Sequence, residues 1–441
     1  MKLKKVINKL NNGYIAKCNY IKYYKKCKLD SKMILLEAQQ GKEYNGNMYY
    51  IAKELATNEE YKDYKIYMSI IKDKLKEAKK FFLNKNLSRI EFIQRDTNKY
   101  YRIISTAKYL INDNTFLPFF IKKEGQVYLN TWHGTPLKSL GKKIKNDFHN
   151  IGNTQRNFIM ADYLLYPNEY TRNHMIEDYM ISNLCDNNVI LEGYPRNTAF
   201  FDYDMREKIR KEYSLEGKQI IAYMPTWRGT LSGQNSNIQE MNLEYIFEEM
   251  EDKLSENQIF YVNLHPIEKA TVDFSKYNKV KPFPAEYETY EFLNIADILV
   301  TDYSSVFFDF LNTGKKIILY TYDKESYLSD RGLYMELEEL PFPIVDKMKD
   351  LIKEINSEKN YDDNKIRTEF CKYDKKDATK ILCKKFIKNE KVDINIEKNK
   401  GNGKKNIFIY GGRLACNGIT TSLKNLIASI DKSKNNYYII I

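Results

Sequence analysis

This 441-residue chain has few histidines, no paired cysteines and no long apolar run, and each shortage excludes something. The six cysteines, at 18, 27, 185, 371, 383 and 416, are scattered with no CxxC pair, which argues against a disulfide framework or a thiolate zinc site. No apolar stretch approaches the ~18 residues of a membrane-crossing helix. The N-terminus lacks the continuous apolar core of a signal peptide, so a cytoplasmic protein is expected. There is no GxxxxGK[ST] loop, which excludes a Walker-type nucleotide site. Nor is there a cluster of acids suited to Mg²⁺, so stabilisation of charge without a metal or cofactor is expected. Only four His and two Trp occur, yet one of each is adjacent in "NTWHGTPLK" (130–138).

What is present is a globular composition, 43% hydrophobic, in a chain long enough for two cores. The formal charge of +12 is unevenly placed: residues 1–30 hold nine Lys and one acid, Asp30, a net +8. A nucleic-acid protein carries its charge on a folded face with interleaved aromatics, so no nucleic-acid partner is expected. Two readings of residues 1–30 stand: a basic, Tyr-rich segment for an anionic membrane surface, or a solvated tail.

Apolar runs alternate with amphipathic stretches along most of the chain. "MILLEAQQGK", "YKIYMSII", "GQVYLNTWHG", "ADYLLY" and "NVILEGYPRN" read as strands. "NMYYIAKELATN" and "NEYTRNHMIEDYM" read as helices, and "TNKYYRIISTAKYLIND" as a helix running into a short strand at 109–112. The rhythm restarts near 218 with "KQIIAYMPTWRG", "NLEYIFEEMEDKL", "QIFYVNLHP" and "YEFLNIADILVTDYSSVFFDFLNTGKKIILY", and "DATKILCKKFIKN" closes it. This predicts an α/β protein of two Rossmann-like, doubly wound units, 31–205 and 206–390. Residues 1–30 precede them as a basic N-terminal tail, and a charged linker, 391–405, follows them. Residues 406–441 read as an incomplete βαβ start, either the opening of a further domain or a segment that pairs with the preceding units.

Four turns each follow the carboxyl end of a predicted strand: Trp132-His133-Gly134-Thr135-Pro136, Pro225-Thr226-Trp227-Arg228, Leu264-His265-Pro266 and Thr301-Asp302-Tyr303-Ser304-Ser305. Ligands of open α/β sheets bind outside the carboxyl ends of the strands, so two facing units bring the turns to one cleft. There a His takes a proton from an alcohol, and Arg228 offers a forked cation to phosphate. Ser304 and Ser305 open a helix that stops at Gly314, and their hydroxyls with its first-turn N–H groups form an anion site. Each residue also has a plainer reading. His265 beside Pro266 suits a turn, the Ser pair an N-cap, Arg228 a surface ion pair, and Asp309 a structural role among Phe307, Phe308 and Phe310.

Seven segments in order, "YLNTWHGTPLKSLG", "ADYLLYPNEYTRNHM", "GYPRNTAFF", "AYMPTWRG", "NLHP", "TDYSSVFFDFLNTGKKIILYTYD" and "YLSDRGLY", closely resemble the CDP-glycerol glycerophosphotransferase family of teichoic-acid primases and polymerases. The resemblance spans about residues 33–388. It implies a GT-B-like fold, with 31–205 on the acceptor side and 206–390 binding the CDP donor. It implies transfer of glycerol phosphate or a related polyol phosphate from a CDP-polyol to a lipid-linked or polymeric hydroxyl acceptor, with release of CMP, at the inner face of the cell membrane. The family's histidines fall on His133 and His265, and its donor-phosphate residues on Arg228, Ser304 and Ser305. "IYGGRLACNGITTSLKNLI" resembles the first strand, turn and helix of a GT-B glycosyltransferase. A nucleotide-sugar transferase on the same scaffold, or a non-catalytic binding module, are the alternatives.

Overall fold

The structure is a computed structural model and describes residues 11–144, 151–226, 243–264, 272–330, 332–412 and 415–440. Seven strands of the first sheet arise in chain order: β1 (Asp30–Glu37), β2 (Lys65–Ile70), β3 (Ile90–Gln94), β4 (Ala107–Asn112), β5 (Val127–Asn130), β6 (Tyr163–Tyr166) and β7 (Asn188–Leu191). Six strands form a second sheet: β8 (Gln219–Met224), β9 (Gln258–Val262), β10 (Val280–Pro282), β11 (Ile298–Thr301), β12 (Lys316–Tyr320) and β13 (Ile344–Val345). Every pairing among these thirteen strands is parallel. Parallel strands are covered on both faces and so read as unbroken apolar runs. In β11 and β12 every residue is buried.

The strand orders place the cleft. The first sheet runs β3-β2-β1-β4-β5-β6-β7 and the second β10-β9-β8-β11-β12-β13. In each, the order reverses once, between β1 and β4 and between β8 and β11. Loops leaving adjacent strands at such a switch point diverge to opposite faces and leave a crevice. The crevice of the first sheet is bounded by residues 38–45 and 113–115, that of the second by Pro225-Thr226 and Asp302–Ser305.

The two sheets are locked together beside that crevice. The helix Gly46–Thr57 follows β1 and buries Met48, Ile51, Ala52 and Leu55. It meets the short helix Thr289–Leu293, which opens with a capping box between Glu288 and Glu291. Glu288 also accepts from the Gly46 N–H at 3.0 Å and the Tyr50 hydroxyl at 2.9 Å, and Glu291 accepts from Tyr49 at 2.8 Å and Lys85 at 2.8 Å. Two acids that cap one unit's helix thereby neutralise donors of the other. A buried carboxylate this well supplied with donors is stable only while both units are in contact.

Three segments depart from the sequence expectation. Within residues 1–30, Ala16–Lys26 is a helix, not a solvated tail; it packs on the helix Asn98–Thr106. Tyr20 drives the docking: it is buried, its hydroxyl donates to the Ile121 carbonyl at 2.7 Å, and its ring lies 5.7 Å from that of Phe119. Lys17, Lys22, Lys25 and Lys26 stay exposed around it. Within the expected linker, β14 (Asn395–Lys398) adds an antiparallel edge to β7, with Ile396 opposite Ile190. The alternation of Ile394 and Ile396 with polar residues, too short to show as a period, supplies its one half-buried face. The closing helix Ala378–Cys383 and its extension through Lys388 return to the first sheet, where Phe386 packs on Tyr109 and Tyr163.

Residues 406–441 contain the βαβ expected of them: β15 (Lys405–Tyr410), a helix Gly418–Ser429 capped by Asn417, and β16 (Asn435–Ile440), parallel to β15. These two strands form their own sheet and extend neither of the larger ones. Among the described residues no helix is long and apolar enough to cross a membrane.

Candidate active site

β5 ends at Asn130, and the chain then turns sharply through Trp132, which has a left-handed backbone (φ 51°). A bulky residue in that region costs on the order of 1–3 kcal/mol and persists only where its surroundings hold it. Here the Asn130 carboxamide accepts from the Trp132 N–H at 3.0 Å. The Trp132 carbonyl accepts from the Thr131 hydroxyl at 2.9 Å and from Asn47 at 3.1 Å. The indole packs edge-on to Phe158 and Tyr179.

That rigid turn presents His133. Its ring stacks on Trp132 with centroids 4.1 Å apart, and Nδ1 lies 2.7 Å from the backbone carbonyl of Asp113, the first residue after β4. A carbonyl only accepts, so Nδ1 carries the hydrogen and Nε2 keeps its lone pair. Burial pushes the imidazole pKa down to about 4, and the Arg196 charge works in the same direction, so the ring is neutral at neutral pH. Burial also raises the Asp113 carboxyl, to about 7, although it accepts from the Gln39 N–H at 2.7 Å.

His133 lines a cleft of about 580 Å³ that the two switch points share. Glu43, Asn45, Thr135 and Lys138 line it from the first unit, and Pro225, Thr226, Asn263, Thr289, Tyr303, Ser304 and Ser305 from the second. On the second side Asp302 braces the loops: its carboxylate accepts from the Thr226 N–H at 3.0 Å and the Thr226 hydroxyl at 2.7 Å. Ser305 sits at the N-cap of Val306–Phe310 without making a capping hydrogen bond, and Ser304 reaches the Val306 N–H only at 3.5 Å. The plain N-cap reading of this pair therefore finds little support, and both side chains border the cleft. Gly314 stops the helix in the left-handed conformation (φ 64°), as expected.

The two walls touch at Gly134. A Cβ built there meets the Ser305 hydroxyl oxygen at 2.7 Å. A Gly134→Ala substitution is therefore expected to push the two turns apart by a few tenths of an ångström. Misplacement on this scale costs activity well beyond its cost in stability. We expect turnover to fall about tenfold or more with the melting temperature shifted by only a few degrees; calorimetric melting beside a rate assay checks it.

Comparison with known proteins accords with this geometry. The family model for CDP-glycerol:poly(glycerophosphate) glycerophosphotransferases matches residues 19–388. The chain belongs to this family. It is an enzyme, a glycerophosphotransferase of the kind that makes teichoic acids. The transferase is 30% identical over 378 residues to the teichoic acid poly(glycerol phosphate) polymerase of Bacillus spizizenii, covering 81% of this chain and 92% of that one. It is 28% identical over 277 residues to the teichoic acid glycerol-phosphate primase of Bacillus subtilis, covering 60% of this chain and 69% of the primase. Against the poly(glycerol phosphate) polymerase of Bacillus subtilis it spans 48% of that longer protein. The solved structure of the wall teichoic acid polymerase TagF superposes with a TM-score of 0.70 at 24% identity, over 88% of this chain and 95% of that one, which establishes the shared GT-B-like fold.

Of the residues singled out in the sequence, the structure brings His133, Ser304 and Ser305 to one cleft. His265 and Arg228 lie outside the described residues; the described ends of their turns, Asn263-Leu264 and Pro225-Thr226, line the cleft. Asp309 has the structural role expected of it: its carboxylate accepts from Arg196 at 2.6 Å and Tyr290 at 2.6 Å. Asp113 and Arg196 were missed, and Asp302 was named only as part of its turn. Asp113 follows a strand end, so the rule applied to the other four turns would have found it. Asp302 and Arg196 lie inside quoted motifs but had no partner visible in the sequence.

Proposed function

We propose that this transferase moves glycerol phosphate, or a related polyol phosphate, from a CDP-polyol to a hydroxyl acceptor with His133 as general base. The observation that carries the reading is the His133 hydrogen bond: with Nδ1 tied to the Asp113 carbonyl, Nε2 is the basic nitrogen left for the cleft. Nε2 takes the proton of the acceptor hydroxyl. The oxygen attacks the β-phosphorus, the bond to the bridging oxygen breaks, and CMP leaves with that oxygen. Negative charge spreads over the transferring phosphoryl group and the CMP. Ser304, Ser305 and Arg228 supply donors and a cation to it, and His265 contacts the pyrophosphate or protonates the departing CMP. Glycerol is the favoured polyol, because the three relatives reported above are glycerol-phosphate enzymes. The test is CMP release from CDP-glycerol, CDP-ribitol and nucleotide sugars in parallel, with mass spectrometry of the product. Release from the CDP-polyols alone is expected; turnover of nucleotide sugars would sink the reading.

The acceptor is proposed to be lipid-linked or polymeric and to be met at an anionic membrane surface. The support is the helix Ala16–Lys26, whose exposed Lys17, Lys22, Lys25 and Lys26 continue the basic run of residues 1–30 on the outside of the first unit. Each Lys near an anionic surface contributes up to about 1 kcal/mol, screened over roughly a Debye length. We expect salt-sensitive sedimentation with anionic vesicles, weakened in a Lys17→Ser/Lys22→Ser/Lys25→Ser/Lys26→Ser variant that spares the buried Tyr20 face. Equal sedimentation of both proteins, or no effect of salt, would remove this surface from membrane contact.

A further inference from the structure

Arg196 lies in "GYPRN", just after β7, and its side chain is buried. One guanidinium nitrogen donates to the His133 carbonyl at 2.7 Å and the other to the Asp309 carboxylate at 2.6 Å. Asp309 belongs to the helix Val306–Phe310, four residues after Ser305. Its carboxylate also accepts from the Tyr290 hydroxyl at 2.6 Å and from Asn197 at 3.2 Å. The guanidinium is held between two rings, 5.1 Å from the centroid of Tyr194 and 5.0 Å from that of Tyr290. Its own backbone is tied to the same turn: Asn47 accepts from the Arg196 N–H at 3.3 Å and donates to the Trp132 carbonyl. The planar fork thus spans the seam between the sheets, with one tooth on each wall of the cleft.

We propose that Arg196 is a positioning residue for the transfer reaction: by bridging the His133 carbonyl and Asp309 it holds the histidine turn of the first unit in register with the serine turn of the second. The inference rests on the reading of His133 as the base. An ordinary ion pair at the seam would need neither the bond to the His133 carbonyl nor a fork shared between two acceptors. A Lys carries the charge but, as a compact point charge on a flexible stem, does not reproduce the fork that meets both acceptors at once. The bridge also sets a fixed positive charge beside the imidazole. Among the described residues, the Asp113 carbonyl meets the ring, and the charged Glu43 and Lys138 line the same cleft wall.

The test uses the full chain with CDP-glycerol and an hydroxyl acceptor. In Arg196→Lys the cation still faces Asp309, and we expect the fold to survive, kcat to fall by about tenfold to a hundredfold, and KM for the donor to change little. In the double variant Arg196→Met/Asp309→Asn both partners of the ion pair go together, so neither is left as a lone buried charge and the fold is again retained. Here we expect the same fall in kcat together with an upward shift of the acid limb of kcat/KM, because the cation beside His133 is gone. The limb should not move in Arg196→Lys. Wild-type kcat in Arg196→Lys, or wild-type kcat with an unmoved limb in the double variant, overturns the proposal. His133→Ala in the same assay separates the two claims: full activity there removes the base itself, whereas an inactive His133→Ala beside fully active Arg196 variants removes only the positioning role.

Discussion

Replacing His133 with Ala is expected to lower turnover by about two to four decades while affinity for the CDP donor survives. The expectation follows from how the ring is held. Its Nδ1 hydrogen is committed to the Asp113 carbonyl, its face to Trp132, and its neutral state is set by burial. Such a group does little for ground-state binding, and its lone pair matters only when the acceptor loses its proton. The same facts give a sign for pH. The folded-state pKa lies below the ordinary imidazole value, so the base form persists as pH falls from neutral, and the acid limb of kcat/KM should lie below pH 6.5. The folded state, which resists protonation here, loses stability as pH falls from the unfolded pKa towards about 4. Turnover near wild type in His133→Ala, measured beside donor affinity by calorimetry, would remove His133 from the chemistry.

The paired substitution Ser304→Ala/Ser305→Ala carries the second large effect. A donor aimed at charge that develops in the transition state is worth about 10²- to 10³-fold in kcat. Ordinary N-cap serines lose about 1 kcal/mol of stability when cut to Ala, but Ser305 makes no capping bond and Ser304 only a 3.5 Å contact. We therefore expect turnover to fall about a hundredfold or more and donor binding to weaken, with the melting temperature nearly unchanged. A large drop in melting temperature with an unchanged rate would return the pair to the capping role.

The layered α/β architecture was legible because parallel strands buried on both faces leave apolar runs between amphipathic helices. Where that signal fades, so did the reading. β10 and β13 are three and two residues long and leave no run to see. β3, "IEFIQ", lies at the edge of its sheet and mixes a charge into its pattern. The helix Ala16–Lys26 was hidden by its lysines, since one tyrosine and one alanine bury most of its inner face. The site divides in the same way. That His133 and the Ser pair border the cleft was readable, because the strand-end turns of open α/β sheets meet there. The partners that hold them were not. The atom that sets the His133 tautomer is a backbone carbonyl, which any residue type supplies. Arg196 meets Asp309 across 113 positions of sequence, and nothing in either segment announces the other.

The central claim is direct attack by the acceptor oxygen on the β-phosphorus, with His133 taking a proton and never a phosphoryl group. Its most direct test is the stereochemical course of transfer from CDP-glycerol made chiral at the β-phosphorus with oxygen isotopes. A single in-line displacement inverts that centre, and inversion is the predicted result. Retention would mean two displacements through a phosphorylated side chain, and would contradict the role of His133 as a base.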